Sequence, residues 1–419
     1  MALLKRSLYL NRILPFVGKD VIKIVTGIRR SGKSTILQQV RDELIADGVA
    51  PEQTLSINLE AYGNRQLKDP NALYRHVKEA LYLEEGGATK AYLFLDEIQE
   101  IPGWEQLVTG LQAELPVDIY LTRSNAHFLS KEFATYLSGR YVEFDVYPFS
   151  FAEFCELRHQ SKPAISVAEA FGSYCTLGGF PFLWQLGYDP KPCLEYLLSI
   201  YDTVVLKDIV ERAAIADASL LAELLPFLMA NVGHVFSDRS IARMLEGENV
   251  RMAPATVGKY VQAACDAQLL LRANREDAMS RKVFKNQEKY YLADHGLREA
   301  TYGNNGRNID QALENIVYLE LRRYGWHVTV GDVADRSKPS GNPLEIDFIA
   351  TRGSDRRYIQ VCYILADERT MEREFKPLET LRLDYPKYVL SLDTIGRGQN
   401  GIPQVYLPEF LLQAEKYLG

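Results

Sequence analysis

Residues 21–35 read V-I-K-I-V-T-G-I-R-R-S-G-K-S-T, and this stretch decides how the first part of the 419-residue chain folds. An apolar run ends in glycine. Gly27, Gly32, Lys33 and Ser34 then satisfy the phosphate-loop pattern G-x-x-x-x-G-K-[ST] in the strand-then-helix setting that gives the pattern its meaning. Glycines let the backbone turn tightly, so that successive N–H groups and the N-terminus of the next helix point at phosphate oxygens. The cradle comprises Gly27, Arg29, Arg30, Ser31, Gly32, Lys33, Ser34 and Thr35. Lys33 is expected to neutralise phosphate charge, and the Ser34 hydroxyl to join a Mg²⁺ shell.

Working outward, T-L-S-I-N-L at 54–59 reads as a buried strand, and helical spacing covers 32–46 and 71–83. A-Y-L-F-L-D-E-I-Q-E follows, where an apolar strand delivers Asp96 and Glu97 at its C-terminal end, a Walker B pattern. The first carboxylate would hold Mg²⁺, and the second would orient or deprotonate a water. A further strand at 117–121 ends in T-R-S-N and brings Thr122, Ser124 and Asn125 to the same edge. Asn125 reads either as the residue that senses the terminal phosphate or as the cap of the next helix. Arg140, between a helix and a strand at 142–146, either pairs within its own chain or reaches a neighbour's nucleotide as a trans arginine finger in a homo-oligomer. Alternation of strands and helices predicts an α/β, doubly wound parallel sheet.

G-I-R-R-S-G-K-S-T, F-L-D-E-I-Q-E-I-P-G-W, S-N-A-H-F-L-S-K-E, L-S-G-R-Y, P-F-S-F-A-E-F, L-G-G-F-P and E-I-D-F-I-A run in order along most of the chain. In these the sequence resembles the bacterial and archaeal AAA-type P-loop ATPases whose C-terminal domain of unknown function is related to PD-(D/E)xK nucleases. The resemblance implies a Mg²⁺-dependent ATPase, a hydrolase using Lys33 and Ser34 for nucleotide, Asp96 and Glu97 for metal and water, Asn125 as sensor and Arg140 as finger. One departure is Arg123, where relatives usually carry glycine; a long cation beside the sensor would help bind phosphate or obstruct the site.

The expected organisation is an ATPase domain over 1–150, a helical linker or lid over 151–215, a winged helix over 216–300 and a small nuclease-like α/β domain over 301–419. Gly178, Gly179 and Pro181 mark a tight bend. Helices at 220–229 and 239–245, a third from Thr256, and a hairpin carrying Arg272, Arg275, Arg281, Lys282, Lys285 and Lys289 make up the winged-helix pattern. Such a module contacts DNA or docks a protein partner, and a charged hairpin also serves as a solvated face. In the last region Glu314, Glu345 and Asp347 imitate a nuclease core, but Gln360 and Cys362 stand where a metal-binding acid and a lysine are needed. Nuclease activity is therefore not expected.

Composition sets outer bounds. A hydrophobic share of 47% with 25% charged residues is that of a globular protein, and the net charge of -7 argues against a wholly basic nucleic-acid coat while allowing a local basic face. Five scattered cysteines without a C-x-x-C pair indicate neither a disulfide framework nor zinc, which fits the cytoplasm. No apolar run is long enough to span a bilayer. Two rival readings remain beside the ATPase: a nucleotide-gated switch with little turnover, and an active DNA-processing nuclease.

Overall fold

The computed structural model describes residues 4–81, 90–124, 137, 139–162, 164–211, 213, 215, 217–303, 309–334 and 343–419. The chain divides into two compact units, Met1–Val146 with Asp266–Gln268, and Tyr147–Cys265 with Leu269–Gly419.

The first unit runs α1 (Ser7–Ile13), β1 (Ile22–Thr26), α2 (Lys33–Ala46), β2 (Thr54–Asn58), α3 (Pro70–Ala80), β3 (Ala91–Asp96), α4 (Trp104–Glu114), β4 (Val117–Arg123) and β5 (Tyr141–Asp145). Its strands pair in parallel in the order β2-β3-β4-β1-β5. β1 is buried at every position, as an inner parallel strand covered on both faces must be. On one face α1 and α2 pack Tyr9, Leu10, Ile36 and Val40 against Val25, Phe94 and Tyr120. On the other, α3 and α4 pack Leu73, Val77, Leu107 and Leu111 against Ile24, Leu95 and Leu121. This is the doubly wound sheet expected from the alternation of elements. β2 lies between β1 and β3 in sequence, and β4 lies between them in space. The crevice beyond the strand C-termini is where ligands of such sheets bind.

The second unit contains α5 (Phe151–Ser161), α6 (Val167–Leu177), α7 (Pro190–Thr203), α8 (Ala218–Ala230), β6 (Val235–Phe236), α9 (Asp238–Gly247), α10 (Pro254–Asp266), β7 (Leu270–Asp277) and β8 (Val283–Leu292). After these come α11 (His295–Tyr302), α12 (Ile309–Arg323), β9 (His327–Val333), β10 (Leu344–Arg352), β11 (Asp355–Val361), α13 (Glu368–Thr380), β12 (Lys387–Ser391), β13 (Gln404–Tyr406), α14 (Leu407–Leu412) and α15 (Ala414–Leu418). The strands form one mixed sheet in the order β13-β12-β11-β10-β9-β7-β8-β6. The β7–β8 hairpin joins the later strands because β7 pairs in parallel with β9, Arg275 opposite Val330.

The L-G-G-F-P motif finds its physical reason here. A Cβ on Gly178, whose φ is 71°, would collide with the Asp294 carboxylate, and one on Gly179 would collide with the Phe149 carbonyl. Asp294 is buried and accepts the N–H groups of Gly179 at 2.8 Å and Gly296 at 2.8 Å. The glycines thus let the 147–187 segment lie directly against the start of α11.

The hairpin does not present the expected row of basic side chains. Arg272 pairs with Glu288 at 3.1 Å, Arg275 with Asp332, and Lys289 is buried beside Glu314 and Glu345. Acidic neighbours on the sheet take up Arg275 and Lys289, whereas Arg272 stays exposed beside Glu288. Arg281 and Lys282 remain exposed near the tip.

Candidate nucleotide site

The turn between β1 and α2 has the geometry of an anion cradle. Gly27 has φ 156° and Gly32, the residue that caps α2, has φ 97°. A Cβ on Gly27 would run into the Val146 carbonyl and the Ser31 hydroxyl, so only glycine fits. Arg30 also sits in the left-handed region, with φ 67°. The first N–H groups of α2 are left without helical partners at this end, and they converge on the loop.

Lys33 is 4% exposed, and its ammonium donates to the loop's own carbonyls, Gly27 at 3.0 Å and Ile28 at 3.2 Å. It also stands 3.7 Å from Glu97 Oε1. Arg29 is engaged by Glu60 at 2.9 Å. The Ser31 hydroxyl is buried and has no hydrogen-bond partner among the described residues, a polar atom left over inside the loop. Such an atom fits a site built to receive polar oxygens.

Across the crevice, β3 ends at Asp96, and Glu97 follows in a left-handed conformation with φ 58°. For a non-glycine residue this stores strain, on the order of 1 kcal/mol or more, which surrounding bonds must hold. They do so from three sides. The Glu97 N–H donates to the Thr122 hydroxyl at 2.8 Å, the Ser124 hydroxyl donates to the carboxylate at 2.7 Å, and the Gln99 amide donates to Oε2. Thr122 in turn donates its hydroxyl proton to Asp96, which also bonds Ser34.

The two carboxylates are tuned apart. Burial pushes Asp96 above the usual range, with Thr122, Ser34 and Lys33 only partly offsetting it. Burial opposes ionisation of Glu97 as well, but there Lys33, Ser124, Gln99 and Arg29 together outweigh it and hold the carboxyl below its ordinary value. Glu97 is thus ionised at neutral pH. Asp96 and Ser34 are adjacent oxygen donors suited to Mg²⁺. Among the described residues no group of three or more His, Cys, Asp or Glu forms a metal cage, so these two fit a cation that brings further oxygens with it.

Arg123 does not enter this site. Thr122 turns toward Asp96, and alternation along β4 sends Arg123 to the opposite face, where its electrostatic partners are Glu143, Glu105 and Tyr141. Its main counter-charge, Glu143, lies on β5; burial and the neighbouring Asp145 push that carboxyl up to about 7 against the relief from Arg123 and Thr26. Glu143 Oε1 makes no hydrogen bond among the described residues. An acid whose folded value lies above its unfolded one contributes stability that is full below the ordinary 4.5 and is lost as pH rises through about 7. Urea unfolding should therefore show a fall of roughly 3 kcal/mol across that window. Glu143→Gln should flatten it, and an unchanged slope in the variant would assign the fall elsewhere.

Arg140 is exposed at the opposite edge of the sheet, where its carbonyl accepts the Ile22 N–H at 2.8 Å as β1 begins. Lys33 and Glu97 lie at the C-terminal edge, so Arg140 is remote from its own cradle. Asn125 lies outside the described residues. The roles of Thr122, Ser124 and Gln99 were not singled out by the sequence. Thr122 and Ser124 were visible as polar residues at the strand end, whereas Gln99 carried no signal beyond its place two residues after Glu97.

Residues 19–155 match the AAA domain, and residues 168–308 match a domain of unknown function (DUF8612). Together with the parallel sheet and the cradle, this defines the first unit as an AAA-type P-loop ATPase domain. The chain is 34% identical over 414 residues to an uncharacterized protein of Haemophilus influenzae, covering 98% of this chain and 99% of that one, and it belongs to one family with that protein. An uncharacterized protein of Methanocaldococcus jannaschii is 27% identical over 396 residues, covering 92% of this chain and 84% of that one. A Walker-type ATPase of Pyrococcus abyssi has a similar fold, with TM-score 0.51 at 16% identity over 71% of this chain and 95% of the other. Among the described residues no helix is long and apolar enough to cross a membrane.

Proposed function

We propose that the protein binds ATP with Mg²⁺ and hydrolyses it. The carrying observation is the Glu97 carboxylate, ionised, fixed by Ser124 and Gln99, and 3.7 Å from Lys33. Lys33 would exchange the Gly27 and Ile28 carbonyls for phosphate oxygens, the loop N–H groups would hold those oxygens, and Ser34 with Asp96 would hold the metal. Glu97 would orient the attacking water and take its proton. The Mg²⁺ supplies neutralisation of phosphate charge. Asn125 as sensor and Arg140 as a finger in a neighbouring copy complete the proposed machinery. The exposure of Arg140, remote from its own cradle, supports a trans role, which predicts turnover per chain that rises with protein concentration. Calorimetric titration tests the core reading: the wild type should bind Mg²⁺-ATP and Lys33→Ala should not, and equal binding by both would defeat it.

The switch reading depended on an arginine slowing turnover beside the sensor. Arg123 has Glu143 as its first electrostatic partner, which supports the hydrolysis reading over the switch.

For 216–300, the order helix, short strand, two helices and hairpin supports a winged helix, and exposed Arg239, Arg243, Arg251, Lys259, Arg281 and Lys282 support contact with DNA phosphates. A protein partner is the rival occupant. Fluorescence anisotropy with duplex DNA should show binding that weakens steeply with salt, and no binding at low salt would favour the protein partner. For 301–419 we read a nuclease-like fold without cleavage. Gln360 is occupied in accepting the Asp347 N–H at 3.2 Å, and Lys289 already pairs with Glu314 and Glu345.

A further inference from the structure

Arg6 lies outside the phosphate-loop motif, yet it is 2% exposed, and its Nη1 donates to the Ser31 carbonyl at 3.1 Å. A buried guanidinium is held only where bonds repay its desolvation. The segment that carries it is tied to the phosphate-loop helix. The Arg6 N–H donates to Gln39 Oε1 at 3.1 Å, and the Gln39 amide donates to the Leu4 carbonyl at 2.6 Å. The Arg6 carbonyl accepts the N–H groups of Tyr9 and Leu10 at 3.0 and 3.2 Å, anchoring the first turn of α1, and the guanidinium lies 4.5 Å over the Tyr9 ring. Tyr9, Leu10 and Ile13 are then buried against α2 and β1.

The Ser31 carbonyl and the Gly32 N–H belong to one planar peptide, in which the two groups point in opposite directions. A donor that holds the carbonyl outward therefore turns the N–H inward, toward the cradle. That N–H stands at the start of α2 among the donors that a phosphate takes up. The same peptide follows the Ser31 side chain, whose buried hydroxyl has no hydrogen-bond partner among the described residues.

We infer that Arg6 is a positioning residue for the nucleotide: it fixes the Ser31–Gly32 peptide so that the loop is set to receive a polyphosphate before one arrives. The inference rests on the nucleotide-binding reading above. It acts on the phosphates common to ATP and ADP and not on the chemical step, so it belongs to affinity and not to turnover.

The test uses the full chain and Mg²⁺-ATP and Mg²⁺-ADP as probes, with calorimetric affinities, steady-state kinetics and thermal unfolding without nucleotide. Arg6→Ala should weaken ATP and ADP alike by about tenfold and raise KM to match, the size expected for one charge-assisted hydrogen bond, while kcat stays within about twofold. Arg6→Lys, which keeps a donor and the charge, should recover part of the loss. Wild-type affinity in Arg6→Ala overturns the inference. So does a loss that follows the drop in melting temperature and is not relieved by Arg6→Lys, since that is a packing effect alone. Wild-type and Lys33→Ala titrations run alongside: binding by the first and none by the second keeps the nucleotide reading standing whatever Arg6 does.

Discussion

Replacing Glu97 with Gln is expected to leave Mg²⁺-ATP binding in place and to lower turnover by about 10²–10⁴, the range in which a positioned base contributes. The substitution keeps the side chain's length, so the Ser124 hydroxyl and the Thr122 contact to the backbone retain a partner. The left-handed backbone at Glu97 should persist for the same reason. What is lost is a group able to accept a proton, and the attraction that holds the carboxyl ionised against burial, chiefly that of Lys33. Freed of that attraction, Lys33 should bind phosphate no more weakly than before. Single-turnover and binding measurements on the variant separate the two effects. Turnover near the wild-type rate would remove Glu97 from the chemistry, and loss of binding with loss of turnover would make its role structural. Ser124→Ala should give a smaller decrease of the same kind, because one of the bonds that orients the carboxylate disappears.

The first unit was legible in the sequence because its signals are local. The phosphate loop fixes β1 and α2 through glycines whose backbone angles no other residue adopts easily, and the acidic pair fixes the end of β3. The site was less legible one layer out. Thr122, Ser124 and Gln99 matter through where the β4 strand and the turn after Glu97 place them, and residue type alone does not report that. Arg123 was misjudged for a related reason. Its place in the T-R-S-N run put it at the site, whereas the two-residue period of the strand turns it to the face opposite Thr122 and Ser124, toward Glu143. In the second unit the hairpin's helices and strands were readable, but the parallel pairing of β7 with β9 joins segments more than fifty residues apart, which no short-range pattern encodes. That pairing belongs to the sheet that takes Arg275 and Lys289 off the surface.

Lys289→Met should cost the second unit about 3–5 kcal/mol near neutral pH, the usual penalty for removing one member of a buried charged group. Lys289 is 2% exposed on β8; its ammonium lies 2.8 Å from Glu345 Oε1 and 3.5 Å from Glu314 Oε2, with Asp347 adding to the field around it. Burial disfavours its charge, but these three carboxylates outweigh burial and raise its pKa, so it is an ammonium throughout the accessible pH range. The acids are held the other way. Burial lifts Glu314, and burial with repulsion from Glu314 lifts Asp347, while Lys289 pulls both down. Without the lysine both should rise further. Acids raised in this way bind protons more tightly folded than unfolded, so their contribution to stability is present at low pH and disappears as pH climbs through the folded values. The deficit of the variant should accordingly shrink toward pH 5 and grow toward pH 8, as read from urea midpoints of variant and wild type at both values. A deficit of equal size at the two would show that lost packing of the lysine stem, and not unpaired charge, is responsible. Adding Glu314→Gln and Asp347→Asn to Lys289→Met replaces the lysine and its two more deeply buried acids by neutral side chains of similar shape, leaving the half-exposed Glu345 to water, and should return most of the lost stability, since neutral replacement of a buried ionic cluster is often close to free of cost.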